Sequence, residues 1–247
     1  MTRLARTLLA LALANAASAA AAALAGPAAA DVSDLPLVEV PATAGRSDLL
    51  AFMVSGDGGW AAIDTRISLT LAAHGVSAVG LNSLRYFWHL RTPEESAQAM
   101  QRTLRHYLAT WDKRRLLLIG YSRGADVLPF MATRLPPDLA QRVALIVLIG
   151  PEPTITWEIR ISDWLRGGPG QDAVPVQPEI ARLQGARLLC VYGAEEPDSL
   201  CPQLPAGLAI LDRRAGGHHF DGQFESIAER ILAESAAPQA APIVRDH

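Results

Sequence analysis

The stretch LLLIGYSRGADVLPF, residues 116–130, decides how the chain is read. Residues 116–119 are apolar without alternation, which suits a strand buried on both faces. The run breaks at Gly120-Tyr121-Ser122-Arg123-Gly124, and an apolar run of helical character resumes at Ala125. Gly-x-Ser-x-Gly between a strand and a helix is the pattern of a nucleophile elbow. So tight a turn leaves no room for side chains at the two glycine positions. It pushes the serine hydroxyl out above the sheet, and the following helix aims its N-terminus at the same place, favouring an oxyanion there. Ser122 is therefore the expected nucleophile.

Outward from this point the chain alternates. Residues 48–56, 76–81, 115–120, 142–150, 186–193 and 206–212 read as strands. Residues 63–74 read as a helix closed by Gly75 in the left-handed manner. Residues 93–111 read as a long helix with Thr92 as N-cap, Pro93 at N1, and Glu94 and Glu95 in the first turn. Residues 125–135 and 220–234 complete the helices. Unalternated strands separated by helices predict an α/β fold, a mostly parallel doubly wound sheet with helices on both faces. Its catalytic loops should gather at the carboxyl ends of the strands. Residues 151–185 read as irregular. With Trp157, Trp164 and Leu165 they suit a lid, a membrane-facing patch or core packing. Tyr86-Phe87-Trp88 reads as pocket lining or as packing on the sheet.

A serine hydroxyl needs a base, and the elbow fold places nucleophile, acid and base in that chain order. Of the six histidines, only His218 and His219, in RRAGGHHF (213–220), fall in a suitable downstream loop. His218, directly after two glycines, is the expected base. The acid should follow the penultimate strand, in VYGAEEPDSLCP (191–202), which offers Glu195, Glu196 and Asp198. Many such enzymes end this strand in Gly-x-x-Asp with a proline four residues after the Asp. Asp198 fits the spacing to Pro202, and Glu196 fits the spacing from Gly193. Asp198 is the expected acid. The oxyanion hole needs two backbone N–H groups. Arg123 follows the nucleophile, and SGDGGW (55–60) occupies the loop that supplies the second donor, with Asp57 and Gly58 as candidates.

The first thirty residues read as a signal peptide: Arg3 and Arg6, an apolar centre at 8–13, then alanines with a small-residue cleavage site at Ala28-Ala29-Ala30 or, earlier, Ala17-Ser18-Ala19. An uncleaved anchor is the alternative. Residues 31–236 suit one domain, and 237–247 a disordered tail. A net charge of −3 without a basic tract argues against a nucleic-acid partner. Cys190 and Cys201, the two cysteines, suit a disulfide in an oxidising compartment; two free thiols are the alternative. His218-His219 has no partner at a metal-ligand spacing, and neither metal nor other cofactor is expected.

Six segments, SGDGGW, NSLRYFW, RTPEE, GYSRGADVLPF, RLP and GGHHF, occur in this order. Together they resemble the VirJ/AcvB bacterial virulence family across most of residues 48–235. The resemblance implies an α/β-hydrolase fold and a periplasmic location. It also implies hydrolysis of aminoacylated phosphatidylglycerol, chiefly the lysyl form, and association with type IV secretion and virulence. Longer members carry an extra N-terminal domain, and this chain resembles the short type. Where members commonly have Phe after the nucleophile, Arg123 stands here; its guanidinium suits a lipid phosphate and opposes a lysyl cation. Asp57, Asp64, Glu152, Glu158 and Asp163 are candidate carboxylates for such a cation. A general carboxylesterase or thioesterase is the competing enzymatic reading. A non-catalytic docking factor for secretion is the competing reading from another class.

Overall fold

A computed structural model describes residues 30–159 and 172–237 of the 247. Nearly all of the expected signal peptide, Asp163, Trp164, Leu165 and residues 238–247 lie outside the described residues. In chain order the elements are β1 (Leu37–Val40), β2 (Leu49–Val54), α1 (Ala62–Ala73), β3 (Ser77–Leu81), the short α2 (Ser83–Tyr86) and α3 (Pro93–Thr110). They continue with β4 (Arg115–Tyr121), α4 (Arg123–Ala132), the short α5 (Pro137–Ala140), β5 (Val143–Ile149), β6 (Thr154–Ile155), β7 (Val174–Pro175) and α6 (Gln177–Ala181). The last are β8 (Leu188–Gly193), β9 (Ile210–Arg214) and α7 (Phe224–Ala236).

Seven strands form one sheet in the order β1-β3-β2-β4-β5-β8-β9. Only β1 runs antiparallel to its neighbour; every other pairing is parallel. All six residues of β2 are buried, because helices cover both faces. Leu50, Phe52, Leu116 and Leu118 face Met100 and Leu104 of α3 and Leu128 and Met131 of α4. Leu49, Met53, Leu117 and Ile119 face Ile67 and Leu71 of α1 and Ile227 and Ile231 of α7. Each such side chain contributes about 1.5–3 kcal/mol by leaving water. The doubly wound parallel sheet expected from the unalternated strands is thus present. With all parallel strands pointing one way, the loops after β2, β3, β4, β5, β8 and β9 meet at one edge.

Local signals in the sequence mark the ends of elements accurately. Thr92 Oγ1 accepts from Glu95 N at 3.1 Å and Glu95 Oε2 accepts from Thr92 N at 2.8 Å, so the capping box starts α3 with Pro93 at its first position. Gly75 closes α1 at φ +83°. Cys190 and Cys201 form a disulfide with Cα atoms 5.6 Å apart, tying the loop after β8 back to its strand. Closing so short a loop stabilises by roughly 2–3 kcal/mol.

Other elements depart from the expectation. β1 is a half-exposed edge strand of four residues. β6, β7 and α6 lie in the stretch expected to be irregular; two-residue strands carry no periodicity to detect. The last strand falls at Ile210–Arg214 rather than 206–212. Being an edge strand, it tolerates the charges of Asp212, Arg213 and Arg214 that broke the apolar pattern.

Candidate active site

Ser122 joins β4 to α4 at φ +53° and ψ −124°. A non-glycine residue held there costs about 1–3 kcal/mol of local strain. The surroundings enforce it. A Cβ on Gly120 would stand 2.3 Å from Gly124 O, and a Cβ on Gly124 would stand 2.0 Å from Val54 O. Both flanking positions therefore require glycine for close approach of β4, α4 and β2. Ser122 N donates to Ile149 O at 2.8 Å, and Ser122 O accepts from Ala125 N at 2.7 Å, opening the helix.

His218 follows β9 and meets a carboxylate. That carboxylate is Glu196, whose Oε1 lies 2.5 Å from His218 Nδ1. Asp198, the acid expected from its spacing to Pro202, is exposed and makes no bond to His218. This pairing, which differs from the expectation for Asp198, has a physical cause. Glu196 N donates to Gly193 O at 3.2 Å while Gly193 N donates to Glu196 Oε2 at 2.6 Å. This closed turn folds the Glu196 carboxyl back over the end of β8. Two residues later the chain heads away, with Leu200 N donating to Pro151 O at 3.0 Å. The residue that pairs with His218 is the one the spacing from Gly193 offered.

The two histidines have different partners. His219 Nδ1 lies 3.0 Å from Tyr121 Oη, and the Tyr121 ring lies 5.4 Å from the His218 ring. A carboxylate at Nδ1 of His218 makes that nitrogen the donor and leaves Nε2 as the basic one. The ring sits over the end of β5: a Cβ on Gly150 would stand 2.9 Å from His218 Cε1. Gly150 directly follows Ile149, whose carbonyl holds Ser122 N. Ser122 and the His218 ring thus stand at adjoining positions of one sheet edge. Neither Tyr121 nor Gly150 was singled out in the sequence beyond its place in a motif or strand.

The SGDGGW loop also lies against the serine. A Cβ on Gly56 would stand 3.5 Å from Ser122 Cβ. Gly59 N donates to Gly56 O at 3.1 Å, which puts Asp57 and Gly58 at the tip of a tight turn. Asp57 is half-buried and Gly58 exposed. The base of the turn is fixed twice. Ser83 Oγ donates to Ser55 O at 2.6 Å, and the Trp60 ring lies so close over Gly80 that a Cβ there would be 1.8 Å away.

The far wall is held by groups the sequence did not mark for this task. Arg123 Nη1 donates to Thr156 O at 2.6 Å, and its guanidinium lies 6.0 Å from the Phe87 ring centre. Asp126 Oδ1 accepts from Glu152 N at 2.7 Å. Burial pushes the Asp126 carboxyl well above the usual range. Trp157 packs edge-on to Phe87 and Phe130. Glu152 is exposed and Glu158 half-exposed.

Asp64 caps α1, with Oδ2 accepting from Ala61 N at 2.9 Å. Its Oδ1 is buried without a hydrogen-bond partner among the described residues. Burial raises its pKa to about 6. A carboxyl with a folded pKa above its unfolded one holds its proton more tightly when folded. Its effect is smallest below about pH 4 and grows unfavourable as pH rises through 6. The penalty reaches roughly 3 kcal/mol at neutral pH. Asp64→Asn keeps the capping oxygen and removes the titration. Urea unfolding of this variant should gain on the wild type by roughly 2 kcal/mol between pH 4 and pH 8. Parallel pH profiles would show that Asp64 is not desolvated in solution.

A parallel sheet extended by one antiparallel edge strand, with the serine on an elbow after its central strand, is the α/β-hydrolase architecture. Solved structures agree. Est1E from Butyrivibrio proteoclasticus, in a structure with bound ferulic acid, is 13% identical with a TM-score of 0.59, over 84% of this chain and 99% of that one. MenH from S. aureus is 12% identical with a TM-score of 0.58, over 81% and 99%. A monoacylglycerol lipase from Paleococcus ferrophilus is 10% identical with a TM-score of 0.53, over 81% and 99%. At these identities the likeness establishes the fold. The family described as "Bacterial virulence protein (VirJ)" matches residues 48–238, and the chain belongs to that family. A comparison with curated protein sequences gives no match.

Proposed function

We propose that the chain is a serine ester hydrolase with Ser122 as nucleophile, His218 as base and Glu196 as the acid that orients the base. We propose further that its substrate is the aminoacyl ester of aminoacyl-phosphatidylglycerol, lysyl or alanyl. The observation that carries the chemistry is the strained Ser122 elbow beside the His218–Glu196 pair on one sheet edge. The substrate class is what the VirJ/AcvB resemblance of the sequence implies.

In this mechanism His218 Nε2 takes the Ser122 proton as Oγ attacks the ester carbonyl. The backbone N–H of Arg123 and that of Asp57 or Gly58 receive the oxyanion. The intermediate collapses, His218 returns the proton to the glycerol oxygen, and phosphatidylglycerol leaves. Water, deprotonated by His218, then attacks the aminoacyl-serine and releases the amino acid. Glu196 keeps His218 in the required tautomer and stabilises the imidazolium.

Export to the periplasm goes with this reading, and the Cys190–Cys201 bridge supports it. The partner this reading requires is an aminoacylated membrane lipid; type IV secretion components are further partners that the VirJ/AcvB resemblance implies.

Two charged side chains close to Ser122 would act on a cationic aminoacyl group in opposite senses. Asp57, at the tip of the turn beside Ser122, attracts it, and Arg123 repels it. A partly screened contact of this kind is worth on the order of 1 kcal/mol. Asp57→Asn should therefore lower the lysyl-to-alanyl ratio of kcat/KM several-fold, and Arg123→Phe should raise it several-fold. Both lipids are assayed in mixed micelles. Unchanged ratios in both variants would move selectivity to other residues. Turnover of simple esters with neither lipid hydrolysed would favour a general carboxylesterase.

A further inference from the structure

Few large apolar side chains among the described residues are strongly exposed: Leu69, Trp88, Leu90 and Leu211. Two of these four share one three-residue tip, Trp88-His89-Leu90, in the loop after β3, with Trp88 49% and Leu90 64% exposed. The tip is braced. Phe87 beneath it is fully buried, Ile159 N donates to Phe87 O at 2.8 Å, and Arg91 N donates to Trp157 O at 3.1 Å. Arg91 is held over the Tyr86 ring at 4.8 Å. A rigid support that presents Trp and Leu to solvent keeps an unfavourable hydration of apolar surface that burial against a partner removes.

The charge around the tip narrows the partner. Arg85 and Arg91 flank it, and among the described residues no carboxylate pairs with either. They line a cavity of about 570 Å³ that also includes Arg102, which Asp34 neutralises, and Glu95, whose carboxylate accepts from Thr92 N, so the arginines outnumber the carboxylates by three to two. Tryptophan and leucine beside two arginines that have no carboxylate partner among the described residues match the boundary of an anionic bilayer, where the indole sits at headgroup level and guanidinium groups meet lipid phosphates. The loop leaves the same sheet edge as Ser122, and Phe87 lies 6.0 Å from the Arg123 guanidinium.

We propose that residues 85–91 dock the protein on an anionic lipid surface, with Trp88 and Leu90 entering the interfacial layer and Arg85 and Arg91 engaging lipid phosphates. Docked in this way, the edge that carries Ser122 faces the bilayer, so a headgroup ester reaches the serine without leaving the membrane. This inference extends the lipid-ester reading above and is tested by binding, not turnover.

The protein is sedimented with vesicles of phosphatidylglycerol and phosphatidylcholine, or of phosphatidylcholine alone, at low and high salt. The wild type should bind the anionic vesicles more tightly, and less so at high salt. The double variant Trp88→Ala/Leu90→Ala should lose roughly tenfold or more in partitioning. Arg85→Gln/Arg91→Gln should lose a similar factor and most of the salt dependence. Melting curves and hydrolysis of a water-soluble p-nitrophenyl ester by the Trp88/Leu90 variant should match the wild type. Loss of soluble-ester turnover by the wild type itself would strike the esterase reading instead. Absence of wild-type binding, equal binding to neutral vesicles, or unimpaired binding by the Trp88/Leu90 variant would each overturn the docking proposal.

Discussion

Ser122→Ala lowers ester turnover on the order of a thousand- to a million-fold, the range seen when a serine nucleophile is removed. The expectation follows from the division of labour at the elbow. His218 and the backbone donors remain, but nothing is left to form the acyl-enzyme. Stability should hardly move. The Ser122 side chain makes no capping bond to α4, and alanine keeps the same Cβ at the same strained φ. The change in unfolding free energy should therefore stay within about 0.5 kcal/mol. Initial rates on a soluble ester, with thermal melts alongside, measure both quantities. Turnover within about tenfold of the wild type would remove Ser122 from the chemistry.

The second large effect separates two carboxylates only two positions apart. Glu196→Gln should cost on the order of a thousand- to ten-thousand-fold in kcat. An amide at Oε1 presents either a donor to His218 Nδ1 or a neutral acceptor, so the imidazolium loses its counter-charge and the tautomer its guide. Asp198→Asn should change kcat by less than about twofold, as expected of an exposed side chain remote from the reacting atoms. The sequence alone favours the opposite order. A deep loss in Asp198→Asn with a mild one in Glu196→Gln would mean that the turn after β8 opens in solution and swaps the acids.

That pair shows what kind of information a sequence carries about a site. The elbow was legible because its residues are local to one another: strand, Gly120, Ser122, Gly124 and helix are contiguous, and each glycine answers a clash inside the same motif. The histidine that meets a carboxylate was legible because chain order and the Gly216-Gly217 loop left two neighbouring candidates, and the disulfide because there were two cysteines. The acid was not settled, because its identity depends on how far a turn folds back. The bonds between Gly193 and Glu196 decide that, and two spacing rules pointed to different residues. Asp126 and Arg123 were opaque for a related reason. Their partners, Glu152 and Thr156, lie in a segment without periodicity, so nothing in the sequence showed that α4 braces that wall. In the fold, the buried parallel strands were plain, whereas the edge strand β1 was not read and β9 was read with shifted bounds. An edge position relaxes the demand for apolar residues on which such a reading depends.

The central claim, that Ser122 is an activated nucleophile served by His218, is tested most directly by reaction with a fluorophosphonate probe followed by intact-mass and peptide mapping. Wild-type protein should gain a single adduct on the peptide that contains Ser122, Ser122→Ala should gain none, and His218→Ala should react far more slowly. An adduct that persists in Ser122→Ala, one that maps to another residue, or a wild-type protein that fails to react would contradict the account.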